Sequence, residues 1–312
     1  MLWGPRKFVD FKLENIEIVD ILLLVHTASM ATATSSHGRP FVVNGKYRTT
    51  SSFIGNMDEP NAWKIGRISP TLGNGSVNHT IAMEFSEQGE GEHSSVASFA
   101  RHTLQLMTME APSELLISSQ KASMDEIRHS KMAYGLAATF LGSNVQPGSL
   151  DIDRSVKSTS KKEIIESVIT EGCIGETISA VRMKLKSHNA KQPMVKDILD
   201  EIAADETNHA QLAWNTVQWA VERYPNLLGI AEETFKMQLD RPTNSLYNIT
   251  MDQCQDCEKD SALRDHGLLL DVDNESTEVI GVKNVIEPAV QLGFKDVEMI
   301  SQQIMNMDFI KY

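Results

Sequence analysis

Apolar residues recur at helical spacing through the middle of the chain, and this pattern predicts four long helices. Residues three, four and seven positions apart lie on one face of an α-helix, so an apolar stripe at that spacing marks the face that becomes buried. In the third segment the stripe includes Ile165, Ile169, Ala180 and Met183. The predicted helices cover residues 82–109, 112–141, 161–188 and 193–222.

Prolines and glycines agree with these boundaries. Pro112 and Pro193 stand where the second and fourth helices begin, and proline is favoured there because the first N–H groups of a helix have no intrahelical partner. Gly142 follows the second helix, and the polar residues 143–160, which include Pro147, read as a loop. The pattern therefore predicts an all-α fold in which a long crossover joins two helical hairpins.

The chain on either side of residues 81–222 is predicted to form additions to these hairpins. Residues 1–80 read as a mostly irregular N-terminal segment that wraps the bundle, with 1–30 flexible and a small hairpin turning at Asn44-Gly45. Residues 223–312 read as a C-terminal helical extension packed on the bundle. Its helices are predicted at 225–240, at 275–292 with a kink at Pro288, and at 294–310, with loop over 241–262.

Charged residues interrupt two of the apolar stripes in the same way. The second and fourth helices each contain Asp-Glu-x-x-His, as Glu126-x-x-His129 and Glu206-x-x-His209, with the histidines 80 residues apart (209 − 129). A glutamate and a histidine three residues apart share a helix face, so both pairs are predicted to be buried. Buried carboxylates cost several kcal/mol unless they are compensated. A pair of metal ions is the simplest compensation, and structural Glu–His hydrogen bonds are the alternative.

The pattern needs two further carboxylates, one on each remaining helix. Glu92 lies in the buried stripe of the first helix, and Glu176 lies in that of the third. Each hairpin then contributes one glutamate and one Glu-x-x-His pair. Glu171 is the runner-up ligand on the third helix, if Gly172 and Gly175 allow a π-bulge there.

This arrangement resembles the ferritin-like di-iron carboxylate superfamily, whose pattern is Glu, Glu-x-x-His, Glu, Glu-x-x-His on four antiparallel helices. The resemblance covers about residues 80–222, and GRPF at 38–41, SVASFAR at 95–101 and GCIGET at 172–177 are similar to a little-characterised ferritin-like group. It implies a ferritin-like antiparallel four-helix bundle with a long crossover and a carboxylate-bridged dinuclear metal site. The ligands it implies are Glu92, Glu126, His129, Glu176, Glu206 and His209.

The same resemblance implies roles for neighbours of these ligands. A metal-bound histidine usually donates its second ring N–H to a carboxylate or carbonyl. In related di-iron enzymes the aspartate before each motif glutamate holds the opposite histidine, so Asp125 is expected to orient His209 and Asp205 to orient His129. The alternative is that both aspartates are solvent-facing helix charges. Arg128 is predicted to face outward.

Oxygen donors with imidazole suit iron or manganese, and the resemblance implies two iron ions, with manganese left open. The leading hypothesis is an oxidase or oxygenase that uses O2 and an external electron donor to oxidise an unidentified small molecule. A ferroxidase or iron-handling protein, a manganese catalase-like peroxide scavenger and a helical interaction module with a structural metal are the alternatives. Residues 31–80 and 241–312 favour an enzyme, because they could cover a reactive site.

Composition narrows the remaining possibilities. The net charge of −13 argues against nucleic acid as a partner, and no apolar run is long enough to span a membrane. Three cysteines imply no disulfide framework, so a reducing, cytoplasmic location is expected, with targeting through residues 1–36 left open. Cys254 and Cys257 are predicted to be incidental loop cysteines. A homodimer is also left open.

Overall fold

The computed structural model describes residues 38–55, 63, 75–156, 160–240, 257–270, 277–291, 293–294, 297 and 299–307. Most of these residues are helical, which confirms the all-α prediction. The predictions for residues 1–37, for Cys254 and for most of the loop after 240 lie outside the described residues. None of the helices in these ranges is both long enough and apolar enough to cross a membrane.

Four long helical stretches form the centre of the molecule. The stretches are α1 (Gly75–Thr108), α2 (Ser113–Leu141), a third made of α3 (Lys161–Ser167), a π segment (Val168–Glu176) and α4 (Thr177–Asn189), and α5 (Pro193–Arg223). Two hairpins result: α1 packs along α2, while α5 packs along the third stretch, and α2 meets α5 across the middle. Both hairpins are antiparallel. In the first, Phe85 stacks on Phe140 whereas Thr103 hydrogen-bonds Ser119, so positions ascending on α1 meet positions descending on α2.

The first helix begins at Gly75, before the predicted start at residue 82. Its first two turns are rich in polar residues, which hides their helical character in the sequence. Val77 and Ile81 are nevertheless buried in the same cluster as Phe85, so tertiary packing extends the helix toward its N-terminus.

The π segment occupies the middle of the third stretch, where two glycines predicted close packing or a bulge. Both are present. A Cβ at Gly172 would lie 2.5 Å from the Cβ of Ala213 on α5, and one at Gly175 would lie 3.0 Å from Cδ of Pro40. The absence of side chains at these two positions lets α5 and the N-terminal segment approach the helix closely.

Two small sheets flank the helices. The predicted hairpin is present as β1 (Val42–Val43) and β2 (Lys46–Tyr47), and both turn residues have positive φ, 56° at Asn44 and 70° at Gly45. The second sheet pairs β3 (Ser52–Gly55) with β4 (Asn144–Pro147). The loop prediction for 143–160 is therefore wrong at its start, because a short strand becomes visible only once its distant partner satisfies its backbone groups.

C-terminal helices cover the side of the bundle formed by the π segment and α5. Phe235 stacks between Trp214 of α5, at 5.2 Å, and Phe294, at 5.3 Å. The π turn ends at Ile286, two residues before Pro288, where a kink is predicted, and a helix over Cys257–Asp265 shows that the loop prediction is wrong for 257–262. The elements are a 3-10 turn (Pro225–Leu227), α6 (Leu228–Leu239), α7 (Cys257–Asp265), helical residues 277–281, a π turn (Val282–Ile286), α8 (Glu287–Gln291) and α9 (Met299–Met305).

Candidate metal centre

Six acidic and histidine side chains from the four long helical stretches converge in the middle of the bundle. All are at most 2% exposed. Their nitrogen and oxygen atoms form two groups of four, and within each group one atom per residue lies within 4.8 Å of the others. Glu126 and Glu206 belong to both groups. The first group is Glu92, Glu126, His129 and Glu206, and the second is Glu126, Glu176, Glu206 and His209. The structure thus brings together all six ligand candidates proposed from the sequence.

The atoms that point into this cluster have no hydrogen-bond partners among the residues that the structure describes. These atoms are Nδ1 of both histidines, Oε2 of Glu92 and both carboxylate oxygens of Glu126, Glu176 and Glu206. Nδ1 of His209 is 3.2 Å from Oε1 of Glu126, but the pair does not have hydrogen-bond geometry. Buried polar atoms are rarely left unpaired. Because a cation would coordinate these very atoms, the residues fit a pair of metal ions.

The pKa shifts of the clustered side chains show that negative charge is in excess among them. Burial raises the pKa of Glu92 to about 8, and burial together with the charge of Glu206 raises the pKa of Glu176 well above its usual value. Burial disfavours protonated His129 and His209, but contacts with surrounding carboxylates outweigh it and raise the pKa of both. Burial also opposes ionisation of Glu206, yet contacts with both histidines lower its pKa overall. Carboxylates packed this closely therefore call for positive charge among them.

The outward nitrogens of both histidines face aspartates. Nε2 of His129 is 3.0 Å from Oδ2 of Asp205, and Nε2 of His209 is 3.5 Å from Oδ2 of Asp125. These contacts orient each ring so that Nδ1 faces the cluster.

Arg128 donates hydrogen bonds to both aspartates. Its guanidinium donates to Asp125 at 2.9 Å and also to Asp205, while Nε pairs with Glu201 at 2.9 Å. The side chain is 39% exposed, so it faces the surface as predicted, but the link it makes between the two helices was not predicted. The spacing of Arg128 relative to the motif gives only its helix face, and the second aspartate comes from α5.

A chain of two hydrogen bonds links the cluster to a positively charged side chain, that of Lys186. Oε1 of Glu92 accepts a hydrogen bond from the Gln88 amide at 3.3 Å, and Lys186 donates to Oε1 of Gln88 at 2.9 Å. Lys186 is 3% exposed, and burial lowers its pKa to about 8. Gln88 precedes Glu92 by four residues and so shares its helix face, whereas no sequence signal pointed to Lys186.

Glu171, the runner-up ligand, belongs to neither group. Its carboxylate receives two hydrogen bonds from Nη2 of Arg101, at 2.8 and 2.7 Å, and one from Ser98 at 3.3 Å. Nε of Arg39 lies 3.8 Å away. The π geometry therefore turns Glu171 toward arginines and leaves Glu176 in the cluster.

The segment 38–42 crosses directly over the ligand carboxylates. Gly38 has φ 67°, and a Cβ there would lie 2.8 Å from Oε2 of Glu92 and 3.0 Å from Oε2 of Glu126. Serine hydroxyls hold the segment in place: Gly38 N–H donates to Ser179 at 3.1 Å, and Ser95 donates to the Arg39 carbonyl at 2.9 Å. The position of Gly38 in a GRPF motif gave no indication of this contact.

Tyr134 and Trp214, which occupy matching positions five residues after each histidine, pack in the core. The Tyr134 ring lies against Gly89, and the indole of Trp214 donates to Thr177 at 3.3 Å. Cys173 is buried, and burial raises the pKa of its thiol.

Comparisons of the chain with protein-family models, with curated proteins and with solved structures gave no match. The function must therefore be argued from the geometry of the site.

Proposed function

We propose that the protein is a ferritin-like dinuclear metalloenzyme, most simply a di-iron oxidase or oxygenase that uses O2 to oxidise a small molecule. The observation that carries the proposal is the overlap of the two ligand groups in Glu126 and Glu206. Two shared carboxylates suit a pair of adjacent ions better than one isolated ion. The remaining glutamate and histidine of each group would complete the coordination of one ion.

Oxygen and imidazole donors favour iron or manganese over metals that prefer thiolates. An iron pair held by these residues would supply electrons for O2 chemistry, and an external donor would be needed to replace them. The chain's own part is to hold the donor atoms in place. Asp205 and Asp125 fix the rings of His129 and His209, and Arg128 hydrogen-bonds both aspartates.

Seclusion of the site supports an enzyme over an iron store. The six donor side chains are almost fully buried, and the backbone at Gly38 lies against two of the carboxylates. An oxidising site benefits from the exclusion of water and stray reductants. A store, by contrast, must pass many ions through its oxidation site, which a covering segment would obstruct.

Metal content and O2 consumption test the proposal together. Protein loaded anaerobically with ferrous iron should hold about two irons per chain. On exposure to O2 it should consume O2 once and then stop until a reductant is added. Glu206→Gln, which alters a shared ligand, should lower both the iron content and the O2 uptake. Glu87→Gln, an exposed change on α1, is the matched control and should leave both unchanged.

Other results would support other functions. A metal content of zero or one ion per chain contradicts the dinuclear site. Accumulation of many irons per chain as a mineral indicates storage, and rapid disproportionation of peroxide by the manganese-loaded protein indicates a catalase-like scavenger.

A further inference from the structure

A second buried cluster, positively charged, lies beside the metal centre. It consists of Arg39 from the N-terminal segment and Arg101 and His102 from α1, which are 1%, 7% and 0% exposed. The two guanidinium groups face one carboxylate, that of Glu171. Burial lowers the pKa of His102, and the charges of Arg39 and Arg101 lower it further, so its ring is neutral at pH 7. The three side chains and Glu171 together therefore carry one net positive charge, and Glu176 is the next carboxylate that acts on Arg39.

Arg39 holds that excess charge. Arg101 uses Nη2 on Glu171 and donates from Nη1 to the Val42 carbonyl at 2.6 Å. In contrast, Nε, Nη1 and Nη2 of Arg39 have no hydrogen-bond partner in the described part of the protein. Its closest carboxylate there is Glu171, at 3.8 Å and without hydrogen-bond geometry. A buried arginine without partners is costly, because its charge and its N–H donors have both lost their water.

The Arg39 guanidinium lies near an aromatic ring and a glycine. Its guanidinium carbon lies 5.3 Å from the centre of the Phe99 ring. A Cβ at Gly172 would lie 3.5 Å from Nη1, so at this position a glycine rather than a larger side chain faces the guanidinium. Arg39 directly follows Gly38, which touches the candidate ligand carboxylates. The charge of Arg39 also acts on Glu176. A group bound to Arg39 therefore sits next to the metal centre.

We propose that Arg39 binds the carboxylate of the substrate, with Arg101 and His102 completing the site, so that the enzyme acts on an organic acid. The substrate assignment rests on the proposed function, whereas the anion site itself does not. A guanidinium presents a planar fork of donors that matches a carboxylate. A carboxylate also carries the single negative charge that the cluster lacks, whereas a phosphate dianion carries one too many.

Acetate and its uncharged isostere acetamide are the probes that test this site. Full-length protein, metal-loaded and separately metal-free, is incubated with each probe long enough for a buried site to exchange, and its melting temperature is followed. Acetate should raise the melting temperature saturably in both forms, and acetamide should not. Arg39→Met should weaken acetate binding by about tenfold or more, since charge-assisted hydrogen bonds are lost. Arg223→Met, an exposed arginine change, is the control and should leave binding unchanged.

Glu171→Gln provides a second test that does not depend on the folding of the Arg39 variant. It removes the carboxylate that competes for both arginines, so acetate should bind several-fold more tightly. Equal effects of acetate and acetamide, an unchanged acetate response in Arg39→Met, or weaker acetate binding in Glu171→Gln would each overturn the proposal. An Arg39-dependent response to inorganic phosphate larger than that to acetate would overturn the carboxylate assignment. Acetate binding without metal binding would reject the proposed enzyme and leave the anion site standing, and the reverse result would reject only the anion site.

Discussion

At the scale of single residues, the centre depends on cations that the ligand motif does not contain. Arg128 joins the aspartates behind both histidines, and Lys186 reaches Glu92 through the amide of Gln88. Arg128 is partly exposed and keeps much of its hydration, whereas Lys186 is buried. The two cations therefore differ in what they cost the folded protein.

Lys186 should make stability depend on pH above neutrality. Burial lowers its pKa to about 8 in the folded protein, whereas in the unfolded chain it is about 10.4. Between these values the unfolded chain binds the proton more tightly, so the free energy of unfolding contributed by this group rises with pH. Below pH 8 the full cost of burying the charge is present. Lys186→Met should therefore gain stability relative to the wild type at pH 7, and this relative gain should shrink toward pH 10.

Urea unfolding at intervals from pH 7 to pH 10 measures this difference. Lys121→Met, which changes an exposed lysine on α2, should follow the wild-type pH dependence throughout. If the curves of Lys186→Met and the wild type run parallel, the lysine is not buried in its charged form and the structure is wrong at this point.

Gly38 should be intolerant of a side chain for a reason specific to the metal centre. In Gly38→Ala the new Cβ would meet Oε2 of Glu92 and Glu126, so either the segment 38–42 or the two carboxylates must shift. Gly45→Ala is a close control, since Gly45 also has positive φ (70°) but has nothing within 4 Å of its Cβ position. In both variants backbone strain should lower the free energy of unfolding by about 1 kcal/mol. Gly38→Ala should in addition bind iron more weakly, as measured by competition with a chelator, whereas equal iron affinity in both variants would contradict the contact.

At the scale of elements, the π segment and α5 are placed by close contact. The segment contributes Glu176 to the metal centre and turns Glu171 away to the arginines, so its position decides which carboxylate becomes a ligand candidate. Gly172 allows the approach, because a Cβ there would overlap the Cβ of Ala213 at 2.5 Å. An ordinary helix with a larger residue at this position would keep α5 farther away.

Gly172→Ala should therefore destabilise the protein despite the better helix propensity of alanine. Overpacking costs about 1–3 kcal/mol, which exceeds the gain of about 1 kcal/mol expected from replacing a helical glycine. Gly229→Ala in α6, where nothing lies within 4 Å of the added Cβ, should be neutral or stabilising. Chemical denaturation of both variants gives the comparison. A Gly172→Ala protein at least as stable as Gly229→Ala would show that α5 is not held at this distance.

At the scale of the whole molecule, the candidate metal ligands lie where the two hairpins meet. Each of the two ligand groups takes residues from both hairpins, so a bound ion would crosslink them. Apolar packing joins the hairpins as well, since the cluster around Phe85 also includes Met183, Leu199 and Ile202 of the second hairpin.

Removal of metal should lower the melting temperature at pH 7. The folded state binds the ions and the unfolded chain does not hold the same site, so metal stabilises the folded state by mass action. Chelated and iron-loaded protein can be compared by calorimetry, and addition of iron back to the chelated sample must restore the original transition. A chelated protein that melts at the same temperature as the loaded protein would show that no ion is bound between the hairpins.

The sequence alone predicted the four long helical stretches and the six residues that meet in the buried cluster. Helical periodicity is a local property, and Glu-x-x-His repeats its spacing on the same face of α2 and α5, so neither depends on knowing which segments touch. Hairpin β1–β2 was predictable for the same reason, because its Asn-Gly turn carries the required backbone conformation within two residues.

Tertiary structure decided the features that depend on contacts between distant segments. Three such features join residues that lie far apart in the sequence. They are the pairing of β3 with β4, the burial of Lys186 beside Gln88 and the contact of Gly38 with two carboxylates. The lack of hydrogen-bond partners for Arg39 within the described residues belongs here as well, since a sequence shows an arginine but not its surroundings. Such contacts leave no periodic trace in the chain, because each is made by one side chain against a surface that exists only after the helices have packed.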